Sequence, residues 1–157
     1  MAAENKTLAT RMLDKAGLAY DLHAYPAEPS WTGEEVAAAL GLDPERVFKT
    51  LVTQGKTGRH FVFMVPVGQN LNLKKAALVC GEKALEMLPQ KELLPLTGYV
   101  HGGCSPLAMK KSLPSFIDET ALLSERIVFN AGRVGLQLEM KLADLQKLLQ
   151  VQTADLV

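Results

Sequence analysis

Two short stretches carry residue types that could do chemistry. The first is VFKTLV, residues 47–52, where Lys49 stands inside an otherwise apolar strand pattern. Side chains alternate along a strand, so Phe48, Thr50 and Val52 share one side, and Val47, Lys49 and Leu51 the other. The lysine therefore either runs its stem out to water or holds its charge against an anion. The second is YVHGGCSPLAMKK, residues 99–111. Gly102 and Gly103 permit backbone conformations that side chains forbid and leave room for a ligand beside the main chain. Consecutive N–H groups in such a turn form a concavity for an anion or a polarised carbonyl. Pro106 removes one donor and stiffens the exit, Ser105 adds a hydroxyl, and Lys110 and Lys111 bring positive charge. The run is not a P-loop, because no Gly-Lys-Ser/Thr pair follows at the required spacing. Taken singly, each stretch is explained by a tight surface loop or a snorkelling edge lysine. Taken together, an ammonium and a row of amides suit a phosphate or an ester carbonyl.

Cys104 sits inside this loop, and His101 three positions before it. A small residue turned into the core is the expectation for Cys104; a thiolate with a histidine base is the alternative. The other cysteine, Cys80, closes the helical pattern KKAALVCG. No CxxC or Cys/His spacing suits a metal, so neither a metal nor a cofactor is expected. Two cysteines make no disulfide framework, which favours a reducing compartment, the cytoplasm.

The elements that must position these residues follow from periodicity. Residues 5–16 place Leu8, Met12 and Leu13 on one helical face, with Gly17 as a stop. LAYDLHAY alternates as a strand. Thr32, three residues before Glu35, is a capping box that opens the helix TGEEVAAALG. VFKTLVTQG and FVFMVPV read as a hairpin across KTGRH. Asn72 caps a helix over LNLKKAALVCG, EKALEML reads as another, and PQKELLPL as a third with proline at its start. SFID, RIVFNAG and GLQLEM read as strands, and KLADLQKLLQ as a closing helix. The mixture predicts an α+β fold, a single domain over residues 1–157.

Composition narrows the functional classes. Hydrophobic residues make up 48% and charged residues 22% of the 157, a globular balance. Lys plus Arg and Asp plus Glu are 17 each, so no global field attracts a polyanion. Lys74, Lys75, Lys110 and Lys111 form a local basic patch or ordinary solvated surface. No apolar run approaches the ~20 residues of a membrane span, and the first residues lack the core of a signal peptide.

Four stretches, in order, carry a resemblance: VFKTLV, LNLKKAA, TGYVHGGCSPL followed by KK, and NAGRVGLQLE. The set resembles the YbaK/EbsC family of bacterial aminoacyl-tRNA deacylases and the related editing domains of prolyl-tRNA synthetase. It runs from about HAYP to the last helix. The resemblance implies a twisted, partly barrel-like mixed sheet flanked by helices. It also implies hydrolysis of the ester between a wrong amino acid and tRNA, with cysteine on tRNA(Pro) as the substrate. Size discrimination in an apolar synthetic site is weak, so a second, hydrolytic site is needed.

The roles it implies are specific. Lys49 contacts the terminal adenosine or its phosphate, with Thr50 beside it. The loop Gly102, Gly103, Cys104, Ser105 and Pro106 holds the aminoacyl carbonyl on its N–H groups. Tyr25 lies near the pocket. Asn130 and Gln137 stand where the family tends to show a small hydroxyl residue and an Asp, and Gln137 cannot act as a carboxylate base. The resemblance further implies attack by the substrate's own thiol, giving a cyclic thioester and free tRNA. The implied partners are the tRNA acceptor end and prolyl-tRNA synthetase, with no membrane and no DNA. Two other readings share the same residues: a deacylase for another small amino acid such as alanine, with water as nucleophile, and a non-catalytic nucleotide or aminoacyl-tRNA binding module.

Overall fold

The computed structural model describes residues 6–27 and 31–157. Helix α1 (Leu8–Ala16) starts at Thr7, which exchanges capping-box bonds with Thr10, and ends at Gly17 in the left-handed region. Ala9 and Leu13 are its fully buried anchors. Strand β1 (Asp21–Ala24) follows, then α2 (Gly33–Ala39), capped by Thr32 and Glu35 as their spacing predicts. Strands β2 (Phe48–Gly55) and β3 (His60–Pro66) form the expected hairpin, with Gly58 supplying the positive φ of the turn. Helix α3 (Leu73–Cys80) is capped by Asn72, whose side chain accepts from the amides of Lys74 and Lys75.

The EKALEML helix does not form. Leu85–Met87 is instead a short strand, β4, antiparallel to the end of β2. Seven residues between Gly81 and Pro89 are too few to sustain a helix by themselves, since nucleation is costly. The open edge of β2 offers ladder bonds, and Glu82 is held in place by Thr57 and Arg59. Tertiary pairing thus overrides local propensity.

Helix α4 (Gln90–Thr97) runs from Pro89 into the glycine loop. Strands β5 (Ser115–Asp118), β6 (Arg126–Arg133) and β7 (Leu136–Lys141) and helix α5 (Leu142–Leu149) follow as the patterns predict. The strand β8 (Gln152–Ala154) was not expected; it pairs in parallel with β5.

Two sheets result. One has the order β1-β7-β6 and is antiparallel; the other has the order β4-β2-β3-β5-β8 and is mixed. Among the described residues they meet at a single bridge, Val47 to Val128, and do not close into a barrel. The main core lies between the sheets and is filled by Phe48, Met64, Ile117, Phe129, Leu138 and their neighbours. A second cluster, with Phe61, Phe63, Val65 and Phe116, packs against Ala76 and Ala77 of α3. Alternation along β2 therefore holds: Phe48 and Val52 serve clusters on one side, Leu51 the α3 side.

Candidate active site

The first turn of α2, the start of β2, the glycine loop and the β6–β7 turn meet around one cavity of about 220 Å³. That is below the ~300–1,000 Å³ usual for a drug-sized ligand, and suits a small acyl group. All four residues Phe48 to Leu51 contribute to its wall, so both sides of β2 reach it.

The two loop glycines do different things. Gly102 has φ of 83°, the left-handed region. A Cβ on Gly103 would lie 2.9 Å from the amide nitrogen of Val134 and 3.1 Å from the main chain of Arg133. The loop can ride on the β6–β7 turn only because that side chain is missing. Asn130 locks the joint. Its Nδ2 donates to the Gly102 carbonyl at 3.0 Å, and its Oδ1 accepts from the amides of Gly132 and Arg133. Those amides belong to a bulge where the β6–β7 register shifts.

Lys49 lines the cavity half-buried. Among the described residues it takes no hydrogen bond or ion pair. Burial pulls its ammonium below the ordinary lysine range, and the Glu34 carboxylate partly opposes that. Thr50 and Gln137 line the same cavity, and their Oγ1 and Oε1 atoms are buried with no hydrogen-bond partner among the described residues. Buried polar atoms are nearly always paired, so two orphans beside one cavity mark a polar spot that a water or a ligand completes. The Gly103 amide is committed to the Val100 carbonyl. The amides of Gly102 and Cys104, both on the lining, donate to no protein acceptor among the described residues.

Other residues singled out from the sequence are placed as follows. Tyr25 lines the cavity; its amide donates to the Gly135 carbonyl, and its hydroxyl accepts weakly from Asn130 at 3.5 Å. Ser105 and Pro106 are buried behind the lining, and the Ser105 hydroxyl accepts from the Leu107 amide. The Cys104 side chain packs with Val52, Val62, Leu88 and Tyr99, and burial pushes its thiol up to about 12. It is a neutral thiol, as the core-facing expectation has it. The Lys75 ammonium is held by Asp155 and the Val157 carbonyl, which removes it from the basic patch.

His101, singled out beside Cys104, lines the cavity, and so does Trp31, which the sequence leaves either in a loop near the pocket or in packing; Val134, on the β6–β7 turn, lines it without any signal in the sequence. Among the described residues no carboxylate lines the cavity, and no group of three or more His, Cys, Asp or Glu could hold a metal.

Residues 27–148 match the aminoacyl-tRNA editing domain family. The chain belongs to this family. Editing is hydrolysis of an aminoacyl ester, so membership places the chain among the aminoacyl-tRNA deacylases. EbsC of Enterococcus faecalis (strain ATCC 700802 / V583), provisionally named a Cys-tRNA(Pro)/Cys-tRNA(Cys) deacylase, is 40% identical over 138 residues, 87% of this chain and 84% of EbsC. A proline--tRNA ligase of Shouchella clausii (strain KSM-K16) is 31% identical over 104 residues, 66% of this chain but 18% of the ligase. A crystal structure of a provisionally named trans-editing enzyme for prolyl tRNA synthetase superposes with a TM-score of 0.83 at 28% identity, covering 96% of this chain and 97% of that one.

Proposed function

We propose that the chain removes cysteine from mischarged tRNA(Pro) and that the cavity holds the aminoacyl ester. One observation supports this most: Lys49, whose ammonium has no partner among the described residues, lines one small cavity together with Gly102 and Cys104, whose amides donate to no protein acceptor among the described residues, and with Thr50 and Gln137. In this reading the amides and the Lys49 ammonium stabilise the oxyanion that develops on the ester carbonyl. Such a donor is worth ~3–4 kcal/mol in a water-poor site.

The nucleophile is the substrate thiol. Its sulfur bonds to the carbonyl carbon, the carbon–oxygen bond to the ribose breaks, and the thiol proton goes to the departing ribose oxygen. The product is a cyclic thioester, which water opens to free cysteine. Well-oriented intramolecular attack reaches effective molarities of ~10⁵ M or more, so orientation and oxyanion stabilisation suffice. The neutral, buried Cys104 thiol and the absence of a lining carboxylate among the described residues favour this route over a protein nucleophile.

A second reading has its own support. His101 lines the cavity and is exposed, so it could activate water against a substrate without a thiol, such as alanyl-tRNA. A panel of Cys-, Ala-, Ser- and Pro-charged tRNA(Pro) separates the two. The thiol route releases cysteine alone at a substantial rate. The water route also releases alanine, and His101→Ala abolishes that release. No release from any member would leave only a binding module.

A zero formal net charge gives little hold on a tRNA body. The chain therefore grips the acceptor end, and prolyl-tRNA synthetase supplies selection of the tRNA. Matching segments inside proline--tRNA ligases support that pairing.

A further inference from the structure

Tyr25 and Trp31 remain to be explained. Their rings are nearly parallel, 16° between planes, with centroids 6.5 Å apart. Both line the cavity and both are half-buried. Neither ring is part of a hydrophobic cluster of the core among the described residues. Large aromatic bodies normally contribute their area to such a cluster. Here the area is spent on an open wall instead.

The wall is held from both ends. The Tyr25 amide is bonded to Gly135, whose own Cβ would come within 3.2 Å of the Tyr25 carbonyl. Trp31 directly precedes the Thr32 cap, and Gly33 is pressed on Val67, where a Cβ would lie 2.6 Å from Cγ1. An acyl group held in the cavity is joined through its ribose to a planar base, and Tyr25 and Trp31 belong to the wall of that same cavity, within reach of the base.

We infer that Tyr25 and Trp31 form a stacking platform for the terminal nucleobase of the tRNA acceptor end. This rests on the proposed function, because the acyl group in the cavity sets where the base falls. The chemistry that recognises the base is its flat face. Stacking is tolerant of base identity, because every base has a π-face, and it needs no charge on the protein. That suits a chain with no net charge to spend on a nucleic acid.

Trp31 is the single tryptophan, so its fluorescence reports the platform directly. The probes are an uncharged acceptor-stem minihelix ending in CCA and the same minihelix with an abasic terminal ribose. At low salt the CCA form quenches Trp31 emission and the abasic form does not. Kinetically, Trp31→Ala raises KM for charged tRNA by ~5- to 150-fold with kcat little changed, the cost of one lost stack. Trp31→Phe, which keeps a ring, recovers most of that loss. Equal quenching by the two minihelices, or an unchanged KM in Trp31→Ala, overturns the platform while leaving deacylation intact. Failure of the wild-type chain to release any amino acid would instead strike the proposed function, and the minihelix comparison would still judge the platform.

Discussion

Lys49 sits where desolvation works against its charge and no carboxylate pairs with it among the described residues. A structural lysine would be expected to snorkel or pair. Its retention inside the wall is explained if the ammonium meets charge that exists only in the bound or reacting substrate. Lys49→Ala should therefore lower kcat by ~10²- to 10³-fold, as loss of one oxyanion donor does. The denaturation midpoint should stay the same or rise, because a partly desolvated charge is removed. Near-normal hydrolysis of cysteinyl-tRNA(Pro) by this variant would take Lys49 out of the chemistry. Cys104 carries the opposite expectation. It lines the cavity, and burial keeps its thiol protonated at neutral pH, so Cys104→Ala, which keeps the backbone amide, keeps turnover. A fall of several orders of magnitude would make the thiol a nucleophile after all.

At the scale of elements, the site depends on the glycine loop resting against the β6–β7 turn. The approach leaves no room for a methyl group at Gly103, because the atoms it would meet are backbone and cannot rotate away. Gly103→Ala should push the loop off the turn, break the Asn130 bridge to Gly102, and lower both kcat and stability, the latter by ~1–3 kcal/mol. Gly58→Ala in the β2–β3 turn is the control. That glycine has φ of 86° and open space around its missing Cβ, so the substitution costs backbone strain of about 1 kcal/mol and leaves activity alone. If both variants lost stability equally and neither lost activity, the loop position would not matter to the reaction.

At the scale of the whole molecule, one carboxylate joins the parts that carry the site. Glu139 on β7 bonds His23 of β1 at 2.8 Å, Arg126 of β6 at 3.0 Å and Arg46, just before β2, at 3.2 Å. Arg126 also reaches Asp21 at the start of β1. Burial alone would raise the Glu139 pKa, but hydrogen bonds from His23, Arg126 and Arg46 outweigh it and hold the carboxyl down at about 2. A depressed carboxylate contributes stability that is full above its unfolded value and is lost as pH falls through its folded value. From the ordinary 4.5 to about 2, the contribution is about 3 kcal/mol. The difference in unfolding free energy between wild type and Glu139→Gln should thus be largest near neutrality and shrink between about pH 5 and pH 2. A difference independent of pH would mean that the network stabilises by packing alone.

Much of this protein could be read along the chain. Caps at Thr32 and Asn72, the stop at Gly17 and the β2–β3 hairpin are local events, decided by groups within a few residues of one another. Lys49 and the Gly102–Gly103 loop also stood out by residue type, since a charge in an apolar strand and paired glycines are unusual wherever they occur. Long-range pairing was not legible in the same way. EKALEML became a strand because the edge of β2 was open, and β8 formed because β5 offered it a parallel partner. Nor could spacing reveal that Thr50 and Gln137, 87 positions apart by number, would leave two orphaned polar atoms on one wall. Local sequence determines which segments are helix, strand or turn, because propensity and capping act over a few residues. Only the tertiary structure decides which unpaired groups face each other, because that follows from the meeting of the two sheets at Val47 and Val128, and hydrogen-bond satisfaction is a property of the assembled interior.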